Sequence, residues 1–138
     1  MDFRPVGIFD SGMGGLTSVR ELRRLLPGED IAYLGDTARV PYGGRSVEEL
    51  RRIAESDVRF LRGRGVKAML VACGTVSSNC LDYVQEKAGV PALGVVKPTA
   101  REAAEATENG RIGVLSTVAT QRSGAFVREL KALEPGLE

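Results

Sequence analysis

Short apolar runs recur along the chain, with amphipathic stretches between them. Residues 6–9, 31–34, 68–72, 92–96 and 112–115 carry no charged or amide side chain. Such continuous runs fit strands covered on both faces of a parallel sheet, whereas half-exposed strands alternate. Between the runs, apolar positions return at helical spacing. Leu16, Val19, Leu22 and Leu26 share one face of a first helix, and Leu50, Ile53, Ala54 and Leu61 share one face of a second. Val76, Leu81, Val84 and Ala88 pattern a third, and Val127, Leu130 and Leu133 a fifth. Ser46 with Glu49 has the form of a capping box opening the second helix. Pro98 suits the first turn of an alanine-rich fourth, and Pro135-Gly136 ends the fifth. Strand–helix alternation of this kind predicts an α/β fold: a mostly parallel sheet with flanking helices and right-handed crossovers. One connection, 35–46, is long and rich in Gly and Pro, and long loops in compact domains are often functional.

Composition narrows the function classes. The chain has 138 residues, enough for one ordinary domain with a real core. With 19 basic against 18 acidic residues the net charge is +1, which gives no electrostatic reason to expect nucleic acid or an anionic membrane as partner. Aromatic residues make up only 5% and Trp is missing, so a base-stacking surface is not expected either. No apolar run approaches the ~20 residues of a membrane span. The start, Met1-Asp2-Phe3-Arg4-Pro5, lacks the apolar stretch of a secretory signal, so a cytoplasmic location is expected. Two cysteines and no His argue against a disulfide framework and against a bound metal. On a single helix Cys73 and Cys80 would stand ~10 Å apart along the axis, too far to bridge.

In open α/β sheets ligands bind beyond the carboxyl ends of the strands. The residues that follow the five predicted strands are Asp10-Ser11, Asp36-Thr37, Cys73-Gly74-Thr75, Lys97 and Ser116-Thr117. Any one of the Asp, Ser or Thr residues serves equally well as a helix cap. Five polar edges together, with a cysteine among them, favour a small-molecule site. Asp10-Ser11-Gly12-Met13-Gly14-Gly15 is a glycine-rich turn whose free N–H groups suit a carboxylate or phosphate. It fits neither the dinucleotide nor the P-loop spacing, and a plain tight turn is the competing reading. Cys73, at the end of a strand and the start of a helix, has a setting that favours thiolate, against the alternative of a buried inert thiol. Cys80, seven residues on, reads as packing. Tyr42, among the glycines of the long link, could cover a small ligand or be a half-buried loop residue.

Taken in order, these segments resemble the glutamate racemase family. The stretch from Gly7 through Asp10-Ser11-Gly12-Met13-Gly14-Gly15 to Thr17 resembles its opening signature, and Tyr33-Leu34-Gly35-Asp36-Thr37-Ala38-Arg39-Val40-Pro41-Tyr42-Gly43 its second motif. Val71-Ala72-Cys73-Gly74-Thr75 is similar to the segment with the first catalytic cysteine, and Arg111 to Thr117 with Thr120 to that with paired substrate-site threonines. The resemblance implies a cofactor-independent racemase that supplies D-glutamate for peptidoglycan. Two thiols then flank the substrate α-carbon, one taking its proton and the other returning one to the opposite face. Carried over by position, Cys73 is one of those thiols, Asp10 assists proton movement, and Asp36 is a weaker candidate. Ser11, Tyr42, Gly43, Gly74 and Thr75 hold the carboxylates and ammonium of glutamate, with Thr117 and Thr120 behind them.

The sequence departs from the family pattern in two places. Gly74 replaces an Asn, and Lys97-Pro98-Thr99 replaces Glu-Pro-Gly. The resemblance also divides the chain into residues 1–97, a first α/β domain with the first catalytic cysteine, and 98–138, the beginning of a second. Family members run longer and carry their second cysteine in a Cys-Thr-His segment. The expectation is therefore an incomplete, truncated portion, inactive alone. Competing expectations are a racemase of aspartate or another small acid, and a non-catalytic binding remnant. A homodimer in which two half-sites meet is a further one.

Overall fold

The structure, a computed structural model, describes residues 2–138. Four strands form one sheet: β1 (Val6–Asp10), β2 (Ile31–Gly35), β3 (Ala68–Val71) and β4 (Ala92–Gly94), in the order β2-β1-β3-β4. Every pairing is parallel, with Asp10 opposite Gly35, Phe9 opposite Val71, and Val71 opposite Gly94. All four carboxyl ends therefore share one edge. The helices are α1 (Leu16–Leu25), α2 (Val47–Gly63), α3 (Gly74–Asn79), α4 (Leu81–Ala88), α5 (Val96–Ala106), α6 (Val118–Ser123) and α7 (Ala125–Leu133).

α2 forms where its caps and its apolar stripe agree. Glu49 N–H donates to the Ser46 hydroxyl at 3.2 Å, and Ser46 N–H donates to the Glu49 carboxylate at 2.9 Å. Its inner face, Leu50, Ile53, Ala54, Val58 and Leu61, is buried with Phe9, Val71, Val76 and Val84 in the main core. Each such Leu, Ile or Val stabilises the fold by about 1.5–3 kcal/mol when fully covered. Gly7 permits that packing. A Cβ there would stand 3.0 Å from Val66 and 3.1 Å from Leu61.

Three expectations need correction. Residues 112–115 do not form a strand. Ile112 N–H donates to the Glu138 carbonyl, and Glu138 N–H to the Gly110 carbonyl, both at 2.8 Å. Ile112 and Val114 pack against Ala100, Leu130 and Leu137, while Leu115 is fully exposed. A strand needs a neighbour to take its backbone hydrogen bonds along its length, and among the described residues only the backbone of Glu138 meets this run, at its start. The fourth strand is shorter than its apolar run, because Val96 already belongs to α5. The single helix expected from Val76 to Ala88 is two, broken at Cys80, whose φ of −139° and ψ of 13° leave the helical region. Among the described residues no helix is long and apolar enough to cross a membrane.

Candidate active site

β1 delivers Asp10 to the sheet edge, and the glycine turn folds back over it. Its carboxylate accepts from Gly15 N–H at 3.0 Å and Gly12 N–H at 3.3 Å. Gly15 has no room for a side chain: a Cβ would come within 2.8 Å of Asp10 and 2.9 Å of Ala72. The Tyr33 hydroxyl ties the turn to β2 by donating to the Gly12 carbonyl at 2.8 Å. Ser11 stands half-buried in this turn. Asp10 is thus both a site candidate and the anchor that shapes the turn around it.

From β2 the chain enters the long link, and Asp36 N–H donates to the Asp10 carbonyl at 2.9 Å. Asp36 and Tyr42 are both buried. The Tyr42 hydroxyl donates to the Asp36 carboxylate and lies 3.3 Å from Asp57 of α2. Arg39 bridges the two acids, with 2.7 Å contacts to each. Burial, reinforced by the bond to Asp36, pushes the Tyr42 phenol far above its usual range. The Tyr42 hydroxyl therefore faces into this cluster. The Gly43 carbonyl faces the other way and accepts from Ala119 N–H at 2.9 Å. Thr117 occupies the space where a Gly43 side chain would be, 2.9 Å from the position of its Cβ.

β3 ends at Val71, and Cys73 is the N-cap of α3, 3% exposed. Its carbonyl accepts from Ser77 N–H at 2.9 Å. Around Gly74 there is open space, so nothing in the packing demands a glycine there. The hydroxyls beyond it form a connected group. Thr75 and Thr117 Oγ1 are 3.0 Å apart, Thr117 donates to Thr120 at 3.1 Å, and Ser78 donates to Thr120 at 3.1 Å. Asn79 Nδ2 donates to the carbonyls of Thr75 at 2.9 Å and Ala119 at 3.3 Å.

Thr75, Thr117 and Thr120 thus form one connected group, packed against Gly43 and following Cys73 and Gly74 in the chain, while Asp10 and Ser11 stand at the carboxyl end of the neighbouring strand β1. Thr117 arrives there as the N-cap of α6, its side chain accepting from Thr120 N–H, and not as a residue ending a strand. Lys97 does not join them. It lines a cleft of about 670 Å³ with Arg51, Cys80, Tyr83 and Arg128, and the cleft borders the hydroxyl group at Ser78 and Asn79. That cleft contains neither Cys73 nor Asp10, so its size is no guide to the chemistry. Cys80, at the break between α3 and α4, is buried, and burial pushes its thiol up to about 11. Asp57, Ser78 and Asn79 are part of this neighbourhood and were not foreseen; the polar run Ser77-Ser78-Asn79 beside Cys73 was the signal for the last two.

Residues 17–138 match the family model described as Asp/Glu/hydantoin racemase. The chain is 44% identical over all 138 residues to a glutamate racemase of Geobacter metallireducens, covering 51% of that protein. It is 47% identical over 126 residues to one of Persephonella marina, which is 91% of this chain and 49% of the relative. Among solved structures, glutamate racemase isoform RacE1 from Bacillus anthracis superposes with a TM-score of 0.94 at 41% identity, over 100% of this chain and 52% of that one. Glutamate racemase from Francisella tularensis in complex with D-glutamate does so with a TM-score of 0.90 at 39% identity, again over 100% and 52%. The chain spans about half the length of the curated relatives it matches.

Proposed function

The chain belongs to the Asp/Glu/hydantoin racemase family, and we propose that it serves the interconversion of L- and D-glutamate, with Cys73 as one of the two acid/base groups. The supporting observation is the connected hydroxyl group of Thr75, Thr117 and Thr120, two residues on from the N-cap Cys73, in a chain 44% identical over its whole length to a glutamate racemase. In this reading the Cys73 thiolate takes the α-proton, the C–H electron pair stays on the α-carbon, and a second group returns a proton to the opposite face. The resulting thiol protonates the α-carbon in the reverse direction. Neither a metal nor an organic cofactor is required for these steps.

The substrate is held by short-range polar groups. Amides of the Ser11 turn and of Gly74-Thr75, with the Thr75, Thr117 and Thr120 hydroxyls, take the carboxylates and ammonium. Gly43 and Tyr42 close the far side through the link, and Asp10 with Asp36 fixes the edge between them. Cys80 does not provide the second thiol, because it lies at the α3–α4 break and lines a different cleft. The opposite-face group therefore comes from outside these 138 residues. Residues 1–97 act as the domain carrying Cys73, residues 98–138 as the start of a second, and the setting is the cytoplasm, where D-glutamate enters peptidoglycan synthesis.

Titrating the chain with D-glutamate and with D-aspartate, and following the amide NMR signals of Thr75, Thr117 and Thr120, tests this reading. Glutamate should shift all three at lower concentration than aspartate. Unmoved signals, or tighter binding of aspartate, would contradict it.

A further inference from the structure

Asp57 sits in the middle of α2 and is 1% exposed. What covers it is the link between β2 and α2. Asp57 Oδ1 accepts from the Arg39 guanidinium at 2.7 Å, and Asp57 Oδ2 lies 3.3 Å from the Tyr42 hydroxyl oxygen. That same hydroxyl donates to Asp36, whose Oδ2 also meets Arg39 Nε at 2.7 Å. The charged and titratable groups that bear on Asp57 are Arg39, Asp36 and Tyr42, all from the link. On the neighbouring α4, Tyr83 is taken up by Glu55 at 2.7 Å, and Arg51 and Lys87 lie over its ring.

A phenol has a single proton, and Tyr42 gives it to Asp36. One phenol proton cannot fully serve both Asp36 and Asp57 Oδ2, so the trio needs a second proton on one of the two acids, and Asp57, the more enclosed at 1% exposed against 6%, is the better placed to bear it. Charge leads to the same arrangement. Two carboxylates and one guanidinium would leave an uncompensated negative charge in a closed space, at high cost. One proton makes the group neutral. Burial works in the same direction, pushing the Asp57 carboxyl up to about 7, with the Asp36 charge adding to it and Arg39 and the Tyr42 hydroxyl pulling against it.

The consequence reaches the candidate site through the chain itself. Tyr42 and Arg39 pin the link to α2, Arg45 ties it to itself by donating to the Arg39 and Pro41 carbonyls, and Gly43, next to Tyr42, holds Ala119 N–H on its carbonyl and packs against Thr117. We propose that Asp57 is a proton-bearing positioning residue: by holding Tyr42 and Arg39 it fixes the link, and through Gly43 it sets Thr117 at the site. When Asp57 loses its proton, its contact with the Tyr42 oxygen becomes repulsive and a net negative charge appears beside the site. The link shifts, and an anionic dicarboxylate binds less tightly. Only this last binding effect rests on the glutamate reading.

Carboxyl-carbon and amide NMR of the 138-residue chain from about pH 5 to 9 tests the proposal. The Asp57 carboxyl should titrate near 7, and the Gly43 and Ala119 amides should shift with the same midpoint. In Asp57→Asn, whose side-chain amide can still donate to Tyr42 and accept from Arg39, both amides should lose that midpoint. Glutamate binding should weaken across it in the unmodified chain alone. Titration of Asp57 near the ordinary carboxylate value of about 4, or amides that ignore its titration, would overturn the proposal. So would a midpoint that survives in Asp57→Asn. If that variant does not fold, the titration of the unmodified chain decides alone. If glutamate binds at no pH while the amides follow Asp57, the positioning role stands and the glutamate reading falls.

Discussion

The residues through β4 and those after it are patterned alike and packed differently. In the first region, four strands pair, and Phe9, Leu50, Leu61, Val71 and Val76 are fully enclosed. In the second, the small separate cluster of Ala100, Leu130 and Leu137 is buried, with Val96, Ala119 and Ala125 the other buried apolar residues, while Leu115, Val118, Val127 and Leu133 remain exposed. Both regions contain a continuous apolar run and an amphipathic helix. What separates them is the neighbour: β1 has a strand on each side, whereas residues 112–115 meet the backbone of Glu138 and the Gln121 side chain, which donates to the Val114 carbonyl. Apolar patterning identifies a face that gains from burial, but burial itself depends on what stands opposite. The two regions join through the Thr75–Thr117, Ser78–Thr120 and Gly43–Ala119 contacts, so the candidate site is also their seam.

Four substitutions probe this contrast, in order of expected effect. Leu61→Ala, in the first region, should destabilise the chain by about 2–5 kcal/mol in urea unfolding, as truncation of an enclosed leucine does. Gly43→Ala forces a methyl group against Thr117 and should cost about 1–3 kcal/mol, while also weakening glutamate binding. Ser46→Ala, which removes the α2 cap, should cost about 1 kcal/mol. Leu133→Ala, on the exposed face of α7, should change stability by less than about 0.5 kcal/mol. A Leu133→Ala cost as large as that of Leu61→Ala would erase the distinction between the regions. An unaffected Gly43→Ala would mean that the seam is loose.

The four paired strands, the inner face of α2 and its capping box were legible in the sequence because each is a local signal that the tertiary structure reinforces. Residues 112–115 were misread because a strand is defined by its partner. The break at Cys80 was hidden because apolar spacing runs on from α3 into α4 without a Gly or Pro. For the candidate site, Asp10, Cys73, Thr75 and Thr117 are candidates by their place after predicted strands, although Thr117 proves to cap a helix instead. Asp57 could not be found this way. In Glu55-Ser56-Asp57 it reads as a surface charge of α2, and only the link folding over it makes it internal. Tyr42 was singled out, but the direction of its hydroxyl depends on that same hidden partner.

The most direct test of Cys73 as a one-face acid/base at this seam is the loss of the L-glutamate α-proton signal in D2O, followed by proton NMR with the 138-residue chain. Removing and returning a proton at one face needs one thiol, whereas inversion needs a second group opposite. The signal should decay while the product stays L, and it should persist when Cys73→Ala replaces the unmodified chain. Decay that continues unchanged in Cys73→Ala, or sustained formation of D-glutamate by the 138 residues alone, would contradict that role.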